Sequence, residues 1–177
     1  VKSGIYEIND AIIHDLKSTE YGEDFVDLGG ILAEEMKKIY PSMRAFILDP
    51  VTVDEFSELA RFTGHPSFDK KSIFHTLNQK AIAKKHAKAL MRKYEDMNLI
   101  VVHLGSGISV AAHQKGSVID SNQVLDGDGP FSPERTGSLP LGDLVKYCFR
   151  SGKSEFEVMD MIQHKGGLYA YLGTYSA

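Results

Sequence analysis

The stretch HLGSGISVAAHQKG, residues 103–116, sets two glycines around Ser106 and follows them with strand-forming residues. Dinucleotide-binding βαβ units place a helix after a GxGxxG pattern, and P-loops place one after GK[ST]; neither pattern is present. The stretch reads as a hairpin turn between two strands. Successive backbone N–H groups at a glycine turn also point together and form a nest for an anion, which side chains would obstruct. From these residues alone, a plain turn and an anion-binding turn both stay open.

Working outward, Leu99–Leu104 is a largely apolar run into the turn, and Ile108–His113 alternates less regularly. Ser117–Val124 is a third extended segment behind Gln114-Lys115-Gly116, so three consecutive antiparallel strands are expected. Residues 126–142, DGDGPFSPERTGSLPLG, follow with no helical or strand period, and a loop of that length inside a compact domain is either functional or disordered. Leu141–Phe149 then reads as a helix with Leu144, Val145 and Cys148 on one face. Ser154 and Glu157 form a capping box for another, which ends near Gly166-Gly167.

Toward the N-terminus, helices are expected over Asp10–Ser18 and Leu28–Tyr40, and a short buried strand over Ala45–Leu48. Asp49-Pro50 ends that strand, because the residue before proline is held extended, and Asp49 stands at its carboxyl end. Thr52 with Glu55 has the spacing of a capping box, predicting a helix through Phe56, Leu59 and Ala60. Gly64–Lys71 is a loop. Thr76 with Gln79 forms a further box opening a long helix, with Ala83, Ala87, Leu90 and Tyr94 on an apolar face and Lys80, Lys84, Lys88 and Arg92 on a solvated one. Strand, polar tip and helix together predict an α/β fold.

A net charge of −4 supplies no basic field, and aromatic residues do not interleave with basic ones, so nucleic acid is excluded as a partner. Cys148 is the single cysteine and reads as a buried thiol. No run approaches the roughly 20 apolar residues of a membrane span, and residues 1–20 lack a signal-peptide core, so a cytoplasmic protein without membrane contact is expected. The chain opens on Val1-Lys2-Ser3 without a methionine and closes on residues 173–177 without a terminal element, which reads as a segment of a longer chain.

Three residues bring the glycine turn into a chemical setting: Asp49 at a strand end, His75 at a helix entrance and Arg135 in the long loop. Each alone has a plain explanation, as a turn former, a capping partner or an ion pair with Glu134. Their types together suit phosphoryl transfer, where catalysis is mostly positioning and charge stabilisation. Arginine presents a planar fork to phosphate oxygens, histidine a further donor, and a carboxylate can orient magnesium. His103, in the strand feeding the turn, is either a buried structural histidine or a group near the phosphates. The other histidines have no partners at ligand spacing, so zinc is not expected.

These motifs resemble a known family. HLGSGISVAAHQKG, DSNQVLDGDGPFSPERTGSLPLGDLVKYCF, AFILDPVTVDEF and KKSIFHTLNQKAIAKKHA are similar to the butyrate kinases within the acetate kinase family of carboxylate kinases, and DGDGPFSPER separates them from the acetate kinases. The resemblance implies a ribonuclease-H-like, actin-like fold of two domains, here a truncated segment: residues 1–53 would end the first domain and 54–177 begin the second. It implies reversible phosphoryl transfer from ATP, with Mg2+, to butyrate or a related short or branched carboxylate. Asp49, His75 and Arg135 would be catalytic, Asp49 lying near the metal, and His103, Gly105, Ser106 and Gly107 would bind nucleotide phosphate. A homo-oligomer is expected.

Ser106 departs from the third glycine usual in this family, and its Cβ would restrict positive φ. GEDFVDLGG, residues 22–30, lacks an expected histidine and asparagine. The segment also lacks the family's first phosphate loop and adenosine region and would be inactive in isolation. A non-catalytic nucleotide-binding or interaction protein of the same fold, or an acetate kinase, are the alternatives.

Overall fold

The computed structural model describes residues 1–17 and 25–176. Strand β1 (Ile5–Glu7) pairs antiparallel with β2 (Phe46–Leu48), Ile5 opposite Leu48, and helices α1 (Asp10–Lys17) and α2 (Phe25–Ile39) lie in the connection. Three residues are too few for an alternation to register in sequence, so β1 carried no signal there. Residues 22–24 of GEDFVDLGG lie outside the described residues.

The three-stranded meander forms as expected: β3 (Asn98–Leu104), β4 (Ile108–Gln114) and β5 (Ser117–Ser121) lie in that order, all antiparallel, with Leu104 opposite Ile108. β5 stops at Ser121, short of Val124, because the Asn122 side chain takes over the pairing. Its Oδ1 accepts the Val110 N–H at 2.7 Å and its Nδ2 donates to the Ile108 carbonyl at 3.1 Å, so an amide stands in for a strand backbone. The imperfect alternation of β4 has a cause too. Ser109, Ala111 and His113 all point inward and are buried, so two of the three interior positions are polar.

Helix α4 (Thr76–Ala89) lays Ala83 and Ala87 against Tyr94 and Met97, with Leu99 and Val101 of β3 beside them. The small alanines let helix and sheet approach closely. A second cluster joins Phe56 and Phe74, whose ring centroids are 6.4 Å apart, to Ala111 of β4 and Val118 of β5. The apolar face of α4 ends with the helix: Leu90 forms its C-cap and is exposed.

Two of the three expected capping boxes are absent. Only Ser154 with Glu157 forms one, opening α6 (Glu155–Gln163). Glu55 is drawn inward instead, where Oε1 meets Lys80 Nζ at 2.7 Å and Oε2 accepts the Val118 N–H at 2.8 Å. With Glu55 so engaged, the next helix, α3 (Glu58–Arg61), begins later on Ser57. Gln79 likewise turns into the core, and α4 starts on His75 with no side-chain cap. Lys80 is therefore no member of a solvated stripe: only 2% of it is exposed, whereas Lys84, Lys88 and Arg92 do face water.

The long loop is ordered, with its far half hydrogen-bonded to α6 and α7 (Gly167–Leu172) through Thr136 N–H to the Ile162 carbonyl and Leu168 N–H to the Ser132 carbonyl, both 3.0 Å. Helix α5 (Leu141–Arg150) buries no residue, so Leu144, Val145 and Cys148 form no core face and the thiol is exposed. The outward side of β3 is exposed as well, Ile100 by 69% and Leu104 by 76%. Among the described residues no helix is long and apolar enough to cross a membrane.

Candidate functional site

His75 sits between two anchors. Phe74 and Thr76 on either side are almost wholly buried, so the histidine backbone is fixed where the chain enters α4. The imidazole does not cap the helix. Its Nδ1 lies 2.8 Å from Ser109 Oγ on β4, and its ring stacks on His103 with centroids 3.7 Å apart and planes within 10°. The alternation of β3 turns His103 to the same side as Leu99 and Val101, and Asn78, on the first turn of α4, meets its Nδ1 at 2.7 Å.

Burial holds both rings neutral near pH 7. It pushes His75 down to about 4, with help from the fields of His103 and Arg135, and it lowers His103 also. Stacked cations would repel across 3.7 Å, so the pair functions as neutral donors and acceptors.

Arg135 arrives from the loop. A tight turn fixes its backbone: its N–H donates to Ser132 Oγ at 3.0 Å and its carbonyl accepts the Ser132 N–H at 3.0 Å. The Ser132 hydroxyl in turn donates to the Ser106 carbonyl, tying the loop to the tip of the β3–β4 hairpin. The Arg135 side chain is only 16% exposed, yet its Nε is buried without a partner, and the carboxylate of Glu134 stays 3.8 Å from Nη2. That is too long for a hydrogen bond. A largely buried guanidinium with an orphaned donor, whose neighbouring carboxylate forms a loose ion pair but no hydrogen bond, is a site for an anion.

The glycines of the hairpin are set by these side chains. A Cβ on Gly105 would lie 2.8 Å from His103 Nε2, and one on Gly107 would overlap Arg135 Nη1 and come within 2.9 Å of Val124. Neither glycine has a positive φ, so what they supply is space rather than an unusual backbone. The same observation corrects the expectation for Ser106: it is exposed and its φ is not positive, so its Cβ imposes no strain.

Asp49 stands at the end of β2 with φ at 39°. Its Oδ1 accepts from the Ser3 hydroxyl at 2.5 Å and the Gly4 N–H at 2.8 Å, while Oδ2 makes no hydrogen bond among the described residues. It forms no hydrogen bond or ion pair with His75, His103 or Arg135. Those three cluster at the hairpin and Asp49 presents a separate, half-free carboxylate.

Sequence reading missed the support beneath His75. Gln79 Nε2 donates to Ser109 Oγ at 2.7 Å and to the Ser109 carbonyl at 3.2 Å; Gln79 Oε1 faces His113 Nε2 at 3.0 Å; His113 Nδ1 meets the Tyr94 hydroxyl at 2.7 Å. All four residues are buried. The available signal was polar residues falling on interior positions of a helix and a strand.

His113 gives this network a measurable pH response. Burial, with the charge of Lys80, pushes it down to about 4. The unfolded chain takes up a proton near the ordinary value of about 6.5, so it binds more protons than the folded state below that pH. Stability therefore falls as pH drops from about 6.5 toward 4, with His113 alone removing about 3 kcal/mol by pH 4. Urea midpoints of the full-length protein should show this decline and His113→Gln should make it shallower, leaving the part due to His75; a slope unchanged in that variant would assign the loss to other groups.

Comparison with known proteins bears on the same residues. The acetokinase family model matches residues 70–176, a span containing His75, His103, the hairpin and Arg135. Butyrate kinase 2 of Clostridium acetobutylicum is 49% identical over 177 residues, which is all of this chain and 49% of that protein. A probable butyrate kinase of Listeria monocytogenes is 47% identical over 176 residues, again 49% of its length. The chain thus spans about half the length of the curated relatives it matches. Among solved structures, Porphyromonas gingivalis acetate kinase superposes with a TM-score of 0.80 at 19% identity, covering 99% of this chain and 46% of that one. A Francisella tularensis propionate kinase does so with 0.80 at 20%, covering 99% and 47%. The α/β fold is accordingly shared with these two kinases. With more than half of its residues matched by the family model, including the histidine pair, the glycine hairpin and the arginine loop, the chain belongs to the acetokinase family.

Proposed function

We propose that the full-length protein is a butyrate kinase, which transfers the γ-phosphoryl group of ATP reversibly to butyrate or a related short or branched carboxylate. The observation that carries this reading is Arg135: a mostly buried guanidinium, unpartnered at Nε, packed against a hairpin whose glycines leave room for it. Similarity over the whole chain to proteins named butyrate kinase supports the choice of acid. A carboxylate oxygen attacks phosphorus in line, the bond to the ADP oxygen breaks, and an acyl phosphate and ADP result. The acid is already ionised at neutral pH, so no general base is required.

In this reading Arg135, with the Nε2 edges of His75 and His103, donates to the oxygens of the moving group. The hairpin of Gly105, Ser106 and Gly107 holds the nucleotide's phosphates, with the N–H groups of Ser106 and Gly107 as donors and that of Gly105 closing the turn on the Gly107 carbonyl at 3.1 Å. Asp49 is the carboxylate for a magnesium ion. Among the described residues no group of three His, Cys, Asp or Glu could cage a metal, which suits an ion held by one carboxylate, waters and phosphates. When bound, Mg2+ supplies charge neutralisation on the phosphates. The division into the end of a first actin-like unit, residues 1–53, and the start of a second, 54–177, belongs to this reading. Its support is that the two-stranded sheet lies wholly in the former and the meander wholly in the latter.

The product of the complete open reading frame should form acyl phosphate, trapped by hydroxylamine, from ATP and butyrate faster than from acetate. Faster turnover of acetate would make it an acetate kinase. Nucleotide binding without product from any short acid would favour a non-catalytic member of the fold.

A further inference from the structure

The buried polar chain beneath His75 has a direction. It begins at an acceptor that cannot be reversed, the backbone carbonyl of Ser109. Because a carbonyl only accepts, the Gln79 amide must present its nitrogen there, at 3.2 Å, and the same nitrogen reaches Ser109 Oγ at 2.7 Å. Ser109 Oγ has thus accepted a hydrogen bond and has one hydrogen to give. Its remaining partner is His75 Nδ1 at 2.8 Å, so that nitrogen accepts and the ring hydrogen resides on Nε2.

The opposite end agrees. With its nitrogen committed, Gln79 shows its oxygen to His113 Nε2 at 3.0 Å, which must carry hydrogen; His113 Nδ1 then accepts the Tyr94 hydroxyl at 2.7 Å. A proton on His113 Nδ1 would make the buried Tyr94 hydroxyl accept and take away the acceptor of its hydrogen, and the nearby charge of Lys80 opposes it. His103 Nδ1 meets the Asn78 amide nitrogen at 2.7 Å, an arrangement in which Nδ1 accepts and Nε2 carries the hydrogen. Among the described residues neither Nε2–H has a protein partner.

We infer that Gln79 and Ser109 are positioning residues, which hold His75 as the neutral Nε2–H tautomer so that the edge away from the core is a hydrogen-bond donor to the transferring group. The assignment of that recipient rests on the phosphoryl-transfer reading above; the tautomer itself does not. The groups facing the His75 ring are His103 and Arg135, both of which favour its neutral form.

The direction makes the two positions unequal. Ser109→Ala removes the hydrogen that selects the tautomer and lets both forms populate. Gln79→Glu is nearly isosteric but replaces the donor by an acceptor; the Ser109 hydroxyl then turns to the new carboxylate, accepts from His75 Nδ1–H, and inverts the edge that meets the phosphoryl group. In the full-length protein the expected loss of kcat is about tenfold for Ser109→Ala and about a hundredfold for Gln79→Glu, within the range for residues that orient a reacting group, with KM for ATP and acid changed less than about threefold. Ser109→Thr, which restores the hydroxyl, should recover most of the activity.

Nitrogen NMR of histidine-labelled protein, with His75 assigned by its Gln variant, reads the tautomer directly. Hydrogen on Nε2 is expected in the parent, a mixture in Ser109→Ala and hydrogen on Nδ1 in Gln79→Glu. Hydrogen on Nδ1 in the parent, or an unchanged tautomer in Gln79→Glu, overturns the inference. A parent with the expected tautomer that forms no acyl phosphate from any short acid would leave the relay standing and remove the kinase reading.

Discussion

Arg135→Ala is expected to lower kcat of the full-length protein about a thousandfold or more, the scale on which an arginine contributes to phosphoryl transfer, with a much smaller change in KM for the acid. The side chain's one ionic neighbour, Glu134, is a loose pair at 3.8 Å whose loss could not explain such a fall, and its Nε is unpaired. The contacts that shape the loop between Ser132 and Arg135 use only the main chain of Arg135, its N–H to Ser132 Oγ and its carbonyl to the Ser132 N–H, and survive the substitution. Far-ultraviolet dichroism should therefore match the parent. Lysine at the same position restores charge without the fork and should recover only a minor part of the rate. Trapped acyl phosphate at parental rate in Arg135→Ala would remove the residue from the mechanism.

Lys80→Met is expected to produce the largest loss of stability. Only 3% of the Lys80 side chain and 16% of that of Glu55 is exposed, and their contact is 2.7 Å. Removing one partner leaves a buried charge uncompensated, a cost of about 3–5 kcal/mol. That is a large fraction of the roughly 5–15 kcal/mol that keeps a domain folded. The double change Lys80→Met with Glu55→Gln removes the stranded charge while keeping an acceptor for the Val118 N–H, so it should be much less damaging than Lys80→Met alone. Urea unfolding of the three proteins decides it. A double variant no more stable than the single one would mean that the loss comes from packing around the lysine stem.

The comparison of sequence with structure separates two kinds of information. Punctuation by glycine and proline, together with long runs of alternating or helical period, located α4, the meander and the ordered loop closely. Those are signals that a single chain carries locally. The two missing capping boxes share one cause: a polar residue near a helix end is held by a distant partner. Glu55 looked like a cap for its own helix and pairs with Lys80; Gln79 looked like a cap for α4 and bonds Ser109. Spacing along the chain cannot encode a partner supplied by another element. The same limit applies to Cys148, which shares a regular apolar period with its neighbours while α5 lays nothing into the core.

The site divides in the same way. His75, His103, Gly105, Gly107 and Arg135 were nameable from residue type and motif, and they cluster as neighbours. Their mutual dependence was not visible: that His103 and Arg135 fill the spaces above the two glycines, or that Ser132 ties the loop to Ser106.

The shared volume at Gly107 has an evolutionary corollary. The guanidinium and, less severely, the Val124 methyl occupy the space that any side chain at position 107 would need, so the arginine imposes the harder part of the glycine requirement. A lineage that abandoned phosphoryl transfer and lost Arg135 would relax that requirement, and a small side chain could be accommodated at position 107 once Val124 shifts by a few tenths of an ångström. Loss of function in this fold would then be recorded as a correlated pair of substitutions, one in the loop and one in the hairpin, 28 positions apart in sequence yet in direct contact.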